Sequence, residues 1–104
     1  MNKCPLNILL VEDDEMVRRL LTGALKEYRV EQASCCSEAL LKAGSINFQV
    51  ALVDLMLPDK SGLEVLGEIK KLQPHCQVIM MTGHGTIPSA VRSIRIGAYD
   101  YIEK

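Results

Sequence analysis

Five residues with reactive or charged side chains stand at the ends of apolar runs: Glu12 and Asp13, Asp54, Thr82, and Lys104. Asp54 closes the run Gln49-Val50-Ala51-Leu52-Val53, and Pro58 follows four residues later. Aliphatic and β-branched residues without polar alternation form a strand covered on both faces. Proline cannot continue such a strand, so the chain turns away just after Asp54. Asp54 therefore falls at a strand's C-terminal end, where open α/β sheets place their chemistry. A plainer reading makes Asp54 the cap of a turn. The other runs decide between the two.

In a parallel sheet all strand C-termini share one edge, and there Glu12, Asp13, Asp54, Thr82 and Lys104 meet. Clustered carboxylates repel one another unless a cation sits between them. Hard oxygen ligands with open positions suit Mg²⁺, which keeps waters and accepts a phosphate oxygen. Lys104 supplies a compact charge for another phosphate oxygen, and Thr82 a hydroxyl donor. Asp54 is the carboxylate placed to attack phosphorus and form an aspartyl phosphate. Such a site mostly positions and neutralises. Taken singly, Lys104 is a charged chain end, Thr82 a loop hydroxyl, and Asp14 and Glu15 a solvated helix N-terminus. Only the last of these survives when the residues are taken together.

The elements that must position these residues follow in order. Asn7-Ile8-Leu9-Leu10-Val11 is a first strand. Val17, Leu20, Leu21, Ala24 and Leu25 then recur at helical spacing, with Asp14 and Glu15 at the favoured N-terminal end. Arg18, Arg19 and Lys26 take other faces of that helix. Val30–Ala33 is a weak second strand, and Ser34 an N-cap for a helix with Ala39, Leu40 and Ala43 inward and Gly44 at its end. After the Asp54 strand, Ser61-Gly62-Leu63-Glu64 reads as a capping box. It opens a helix striped by Leu63, Leu66, Ile69 and Leu72 and stopped by Pro74. Val78-Ile79-Met80-Met81 is a fourth strand. The glycine-punctuated loop Thr82–Thr86 leads to a helix with Pro88 in its first turn, with Ala90, Val91 and Ile94 inward and Gly97 at its end. Tyr99–Ile102 is a fifth strand. Strands alternating with helices predict a parallel sheet with right-handed crossovers.

The composition agrees. At 104 residues the chain has room for about one domain. It is 48% hydrophobic with one Phe, three Tyr and no Trp, so its core must be aliphatic. A net charge of −1 gives no field toward nucleic acid or anionic lipid. No apolar run approaches the ~18 residues of a membrane span. Cys4, Cys35, Cys36 and Cys76 match no zinc spacing and read as free thiols of a cytoplasmic protein. His75 and His84 read as solvated loop residues.

The chain resembles the receiver domain of bacterial two-component response regulators over essentially its whole length. The resemblance is carried by Ile8-Leu9-Leu10-Val11-Glu12-Asp13-Asp14, Leu52-Val53-Asp54-Leu55-Met56-Leu57-Pro58-Asp59-Lys60-Ser61-Gly62, Met81-Thr82-Gly83-His84-Gly85 and Gly97-Ala98-Tyr99-Asp100-Tyr101-Ile102-Glu103-Lys104. It is strongest toward regulators of the nitrogen-regulation type, which carry an ATPase domain acting on an alternative sigma factor. Thr82-Gly83-His84-Gly85 also resembles receivers joined to plain helix-turn-helix domains, so the effector stays open.

The resemblance implies a flavodoxin-like, doubly wound α/β fold with strand order 2-1-3-4-5. It implies that Asp54 accepts a phosphoryl group from a sensor histidine kinase. Asp13 would bind Mg²⁺ directly and Glu12 through water, the Met56 main-chain carbonyl being a further ligand. Thr82 and Lys104 would hold the phosphoryl group. Tyr101 would be the switch aromatic that follows Thr82, and Met56 and His84 would tune the phosphoryl lifetime. It implies a transcriptional output through the surface around helix four and strand five, a homodimer, and no direct contact with nucleic acid by this domain. Glu12 departs from the family's more usual Asp, a longer reach to the same role.

Receivers continue past the lysine into a fifth helix, which is absent from this sequence. Four or five apolar side chains docked by such a helix represent on the order of 6–15 kcal/mol of burial, against a whole-domain stability of about 5–15 kcal/mol. The chain is therefore expected to be a fragment of a longer protein, ending before the fifth helix and the effector, or else to cover its bare face with a partner chain. Two other functions compete. A phosphatase using an aspartyl nucleophile, of the kind that resembles haloacid dehalogenases, needs a second Asp two residues after the first, and Met56 stands there. A phosphorylation-incompetent interaction module of the same fold is disfavoured by the intact Asp13, Asp54, Thr82 and Lys104. The chain is thus expected to phosphorylate and slowly dephosphorylate itself, without being a metabolic enzyme.

Overall fold

The computed structural model describes residues 6–83 and 85–104. Strands and helices alternate along them as β1 (Asn7–Val11), α1 (Glu15–Ala24), β2 (Arg29–Ala33), α2 (Cys36–Ala43), β3 (Val50–Asp54), α3 (Gly62–Leu72), β4 (Gln77–Thr82), α4 (Ile87–Ile96) and β5 (Asp100–Glu103). All neighbouring strands pair in parallel, in the order β2-β1-β3-β4-β5. This is the doubly wound α/β sheet that the alternation and the resemblance led one to expect.

The order fixes the layers. The chain steps from β1 outward to β2, then returns past β1 to β3, β4 and β5. Right-handed crossovers therefore put α1 on one face and α2, α3 and α4 on the other. Strand residues alternate between the faces. Leu9, Val11, Ala51, Val53, Val78 and Met80 meet Ala39, Ala43, Val65, Leu66 and Ile69 in one buried aliphatic cluster on the three-helix side. The α1 side is thinner. A sheet of five strands at ~4.8 Å spacing is about 20 Å wide, and one helix covers about 10 Å of it. Ile8, Leu10 and Met81 are buried, but Leu52 and Ile79 are half-buried and Ile102 is exposed. No side chain of α1 is fully buried.

The thin face corrects the reading of α1: Leu20 is 73% exposed rather than inward. In α4, Val91 and Ile94 are 44% and 52% exposed, while Ser93 is fully buried and Ala90 half-buried. The small side chains pack because Ser93 can satisfy its hydroxyl on the Ser89 carbonyl at 2.9 Å. In α3 the buried stripe is Val65, Leu66 and Ile69, with Leu72 turned outward. Ser61 caps that helix through the Leu63 N–H, without a return bond from Glu64 among the described residues. The N-cap of α2 is Cys35 rather than Ser34, whose N–H and hydroxyl both donate to Glu38 at 2.7 Å. Gly97, with φ of 126°, turns the chain out of α4 into β5.

Cys35, Cys36 and Cys76 are free thiols, and burial pushes Cys76 up to about 11. Among the described residues no helix is long and apolar enough to cross a membrane. Cys4 lies outside the described residues.

Candidate functional site

The site sits at the C-terminal edge of the sheet, where the strand order reverses between β1 and β3. Glu12 is the first residue beyond β1, and its N–H donates to the Ala33 carbonyl of β2 at 2.9 Å. That bond extends the ladder by one residue and draws Glu12 into the sheet, where it is buried. Asp13 follows and faces solvent. Asp14 is committed elsewhere: its carboxylate accepts the Met16 and Val17 N–H groups as the N-cap of α1.

Asp54 is the last residue of β3 and is buried. The turn beyond it is tight. Leu55 N–H donates to the Met81 carbonyl and Gly62 N–H to the Leu55 carbonyl, both at 2.8 Å. A side-chain carbon at Gly62 would collide with the Asp54 carbonyl, so only glycine lets α3 start this close to the strand. Met56 N–H donates to Asp54 Oδ1 at 3.1 Å, while the Met56 side chain is exposed.

Thr82 is buried at the end of β4, and its carbonyl accepts the Lys104 N–H at 2.8 Å. That bond brings the Lys104 ammonium back over the acids. Nζ lies 2.6 Å from Glu12 Oε1 and 2.9 Å from Asp54 Oδ2. One cation thus bridges two buried carboxylates. Burial acts to push the ammonium pKa down, but the bonds to Glu12 and Asp54 and their charges prevail, and the net shift is upward. Glu12 is pushed up by its burial and by Asp54. The Lys104 ammonium and the Asp14 N–H, which donates to Oε2 at 3.2 Å, offset only part of this.

Carboxylate oxygens of Glu12, Asp13 and Asp54 all lie within 4.8 Å of one another. This hard donor set, two members buried and one open to solvent, fits a divalent cation of the Mg²⁺ or Ca²⁺ kind. Among the described residues Lys104 Nζ engages Glu12 Oε1 and Asp54 Oδ2, while Glu12 Oε2 accepts the Asp14 N–H and Asp54 Oδ1 the Met56 N–H.

Tyr101 is half-buried on the three-helix side, packed against the core cluster. Its hydroxyl lies 2.8 Å from Ser89 Oγ, inside the capping box that Thr86 and Ser89 form at the start of α4. Gly85 leaves room for this: a side-chain carbon there would press on the Tyr101 hydroxyl and on Thr82 Cγ2. The structure therefore gathers Glu12, Asp13, Asp54, Thr82 and Lys104 at one edge, with Met56 beside Asp54 and Tyr101 under the neighbouring helix. His84 lies outside the described residues. Sequence reasoning missed Arg18, Asp59 and Ser89. Ser89 stands three residues after Thr86, a capping-box spacing that could have found it.

Comparison with known proteins gives a consistent picture. The family profile described as response regulator receiver domain matches residues 8–104. A putative response regulator of Rickettsia felis, described as NtrX-like, is 38% identical over 103 residues, covering 95% of this chain and 22% of the relative. The photosynthetic apparatus regulatory protein RegA of Cereibacter sphaeroides is 35% identical over 100 residues, covering 94% of this chain and 54% of RegA. The chain thus spans from about a fifth to about half the length of these relatives. A Burkholderia pseudomallei response regulator, solved with a phosphorylated aspartic acid, calcium ion and citrate, superposes with a TM-score of 0.91. It is 35% identical, over 95% of this chain and 59% of that one.

Proposed function

The chain belongs to the response regulator receiver family, whose members are signalling modules rather than classical enzymes, and from that premise we propose that it is a phosphoacceptor switch working at Asp54. A sensor histidine kinase is the donor. One Asp54 carboxylate oxygen forms a new bond to phosphorus as the bond from phosphorus to the histidine nitrogen breaks, and the imidazole leaves with that electron pair. The observation that carries the reading is the Lys104 ammonium bridging Asp54 and Glu12, at 2.9 and 2.6 Å, beside the open carboxylate of Asp13.

In this reading Glu12, Asp13, Asp54 and the Met56 main-chain carbonyl hold Mg²⁺, which when bound neutralises carboxylates and phosphoryl oxygens together. Lys104 and the Thr82 hydroxyl take the remaining phosphoryl oxygens. Tyr101 reports the motion of Thr82 to α4 and β5, whose two arrangements differ in their fit to a partner. The output is transcriptional. The protein works in the cytoplasm, and its phosphorylated form pairs with a second copy.

Beryllium fluoride, which imitates a phosphoryl group on a carboxylate, tests this. Fluorine NMR of the protein with beryllium fluoride and Mg²⁺ is expected to show bound resonances that Asp54→Asn lacks. Their absence in a folded sample would favour an interaction module that is not phosphorylated. Equal binding by the variant would remove Asp54 from its role.

A further inference from the structure

The loop that carries Glu12 and Asp13 leaves β1 and enters α1 within three residues. Its three successive carbonyls need partners, and one residue supplies them all. The Arg18 main-chain N–H donates to the Asp14 carbonyl at 2.9 Å. The Arg18 guanidinium Nη1 donates to the Glu12 carbonyl at 2.8 Å and to the Asp13 carbonyl at 3.3 Å. Arg18 is half-buried, and among the described residues it forms no ion pair with a carboxylate. Its cation is used on main-chain oxygens, in a molecule where Glu15, three residues earlier, takes Arg19 instead.

We propose that Arg18 is a positioning residue for the metal-binding acids: by holding the Glu12 and Asp13 carbonyls it fixes the peptide planes from which both carboxylates project. This rests on the reading that Glu12, Asp13 and Asp54 bind Mg²⁺. Arg18 acts on metal binding in two ways of opposite sign. Its charge repels a nearby dication, so charge alone predicts tighter binding when it is removed. Its hydrogen bonds order the loop in advance, so losing them leaves an ordering cost to be met at binding. The contacts favour the second effect. The guanidinium bonds the very peptide groups that carry the two acids, at 2.8 and 3.3 Å, and it makes no ion pair with either carboxylate among the described residues.

Calorimetric titration of the whole chain with Mg²⁺ separates the two effects. Arg18→Met keeps the aliphatic stem and removes the donors. Its Mg²⁺ dissociation constant is expected to rise about tenfold, at the low end of what the loss of a ligand-orienting partner costs. Arg18→Gln removes the charge but keeps an amide donor, and is expected to fall between the two. Circular dichroism without Mg²⁺ confirms that each sample is folded, and either folded variant suffices. Unchanged or tighter binding by a folded variant overturns the proposal. Failure of the unaltered protein to bind Mg²⁺ overturns instead the reading beneath it, and this proposal with it.

Discussion

At the residue scale the site is a balance between burial and neutralisation. Glu12 and Asp54 are both buried and lie close enough to repel, and Lys104 is the cation that holds them together. Taking away one partner of a buried charged group costs more than the group's net contribution, because the remaining charge is left unpaired. Lys104→Ala is therefore expected to lower stability by about 1–3 kcal/mol. Mg²⁺ should restore more of the melting temperature in this variant than in the unaltered protein, because the dication neutralises the same pair and binds only the folded state. Thermal melts with and without Mg²⁺ read both effects. Equal Mg²⁺ shifts in the two proteins would show that the metal and Lys104 do not share the acids.

At the element scale the loop after β3 does two things at once. It carries Met56 past Asp54, and it sends Asp59 across to cap α2. Asp59 Oδ1 accepts the Cys36 N–H at 2.9 Å, and Oδ2 accepts the Ser37 N–H and hydroxyl at 3.2 and 3.1 Å. Cys35, at the N-cap itself, makes no side-chain cap bond. The anion thus meets the positive end of the helix from 23 residues away in sequence. The Cys36 N–H bond, helped by Ser37, holds the Asp59 carboxyl below the usual range. A depressed carboxyl contributes stability above its unfolded pKa, and that contribution is lost as pH falls through the folded value. Asp59→Asn is therefore expected to lower the urea midpoint at about pH 7, with the difference closing toward about pH 3, below the usual Asp value. A difference that does not change with pH would assign the effect to shape rather than charge.

This cap was not legible in the sequence, because Ser34 offers a local hydroxyl at the expected place and nothing local marks a partner from another loop. The same limit explains α4. Its apolar residues Val91 and Ile94 suggested an inward stripe, yet Ser93 is the buried residue, since periodicity locates a helix but not how closely it approaches the sheet. The strands were legible almost to the residue, for they are short, apolar and closed by turn signals. The site was legible for the same reason, since each of its chemical groups ends such a strand or lies within two residues beyond it.

At the scale of the whole molecule, parallel pairing converts separate sequence positions into one site. Glu12 and Lys104 are 92 residues apart and 2.6 Å from each other, and only the order β2-β1-β3-β4-β5 brings that about. The two faces are unequal. Three helices seal one, while α1 leaves Leu52 and Ile79 half-buried on the other. Arg18 and Lys104 complete the arrangement by meeting at one residue, Arg18 on the Glu12 carbonyl and Lys104 on the Glu12 carboxylate. The claim on which everything else rests is that this edge exists to phosphorylate Asp54. The direct measurement is the intact mass of the protein after incubation with acetyl phosphate and Mg²⁺, beside Asp54→Asn. One added phosphoryl group, about 80 Da from the chemistry of phosphorylation, in the unaltered protein and not in the variant is the expected result. No gain in a folded sample, or the same gain in Asp54→Asn, would contradict it.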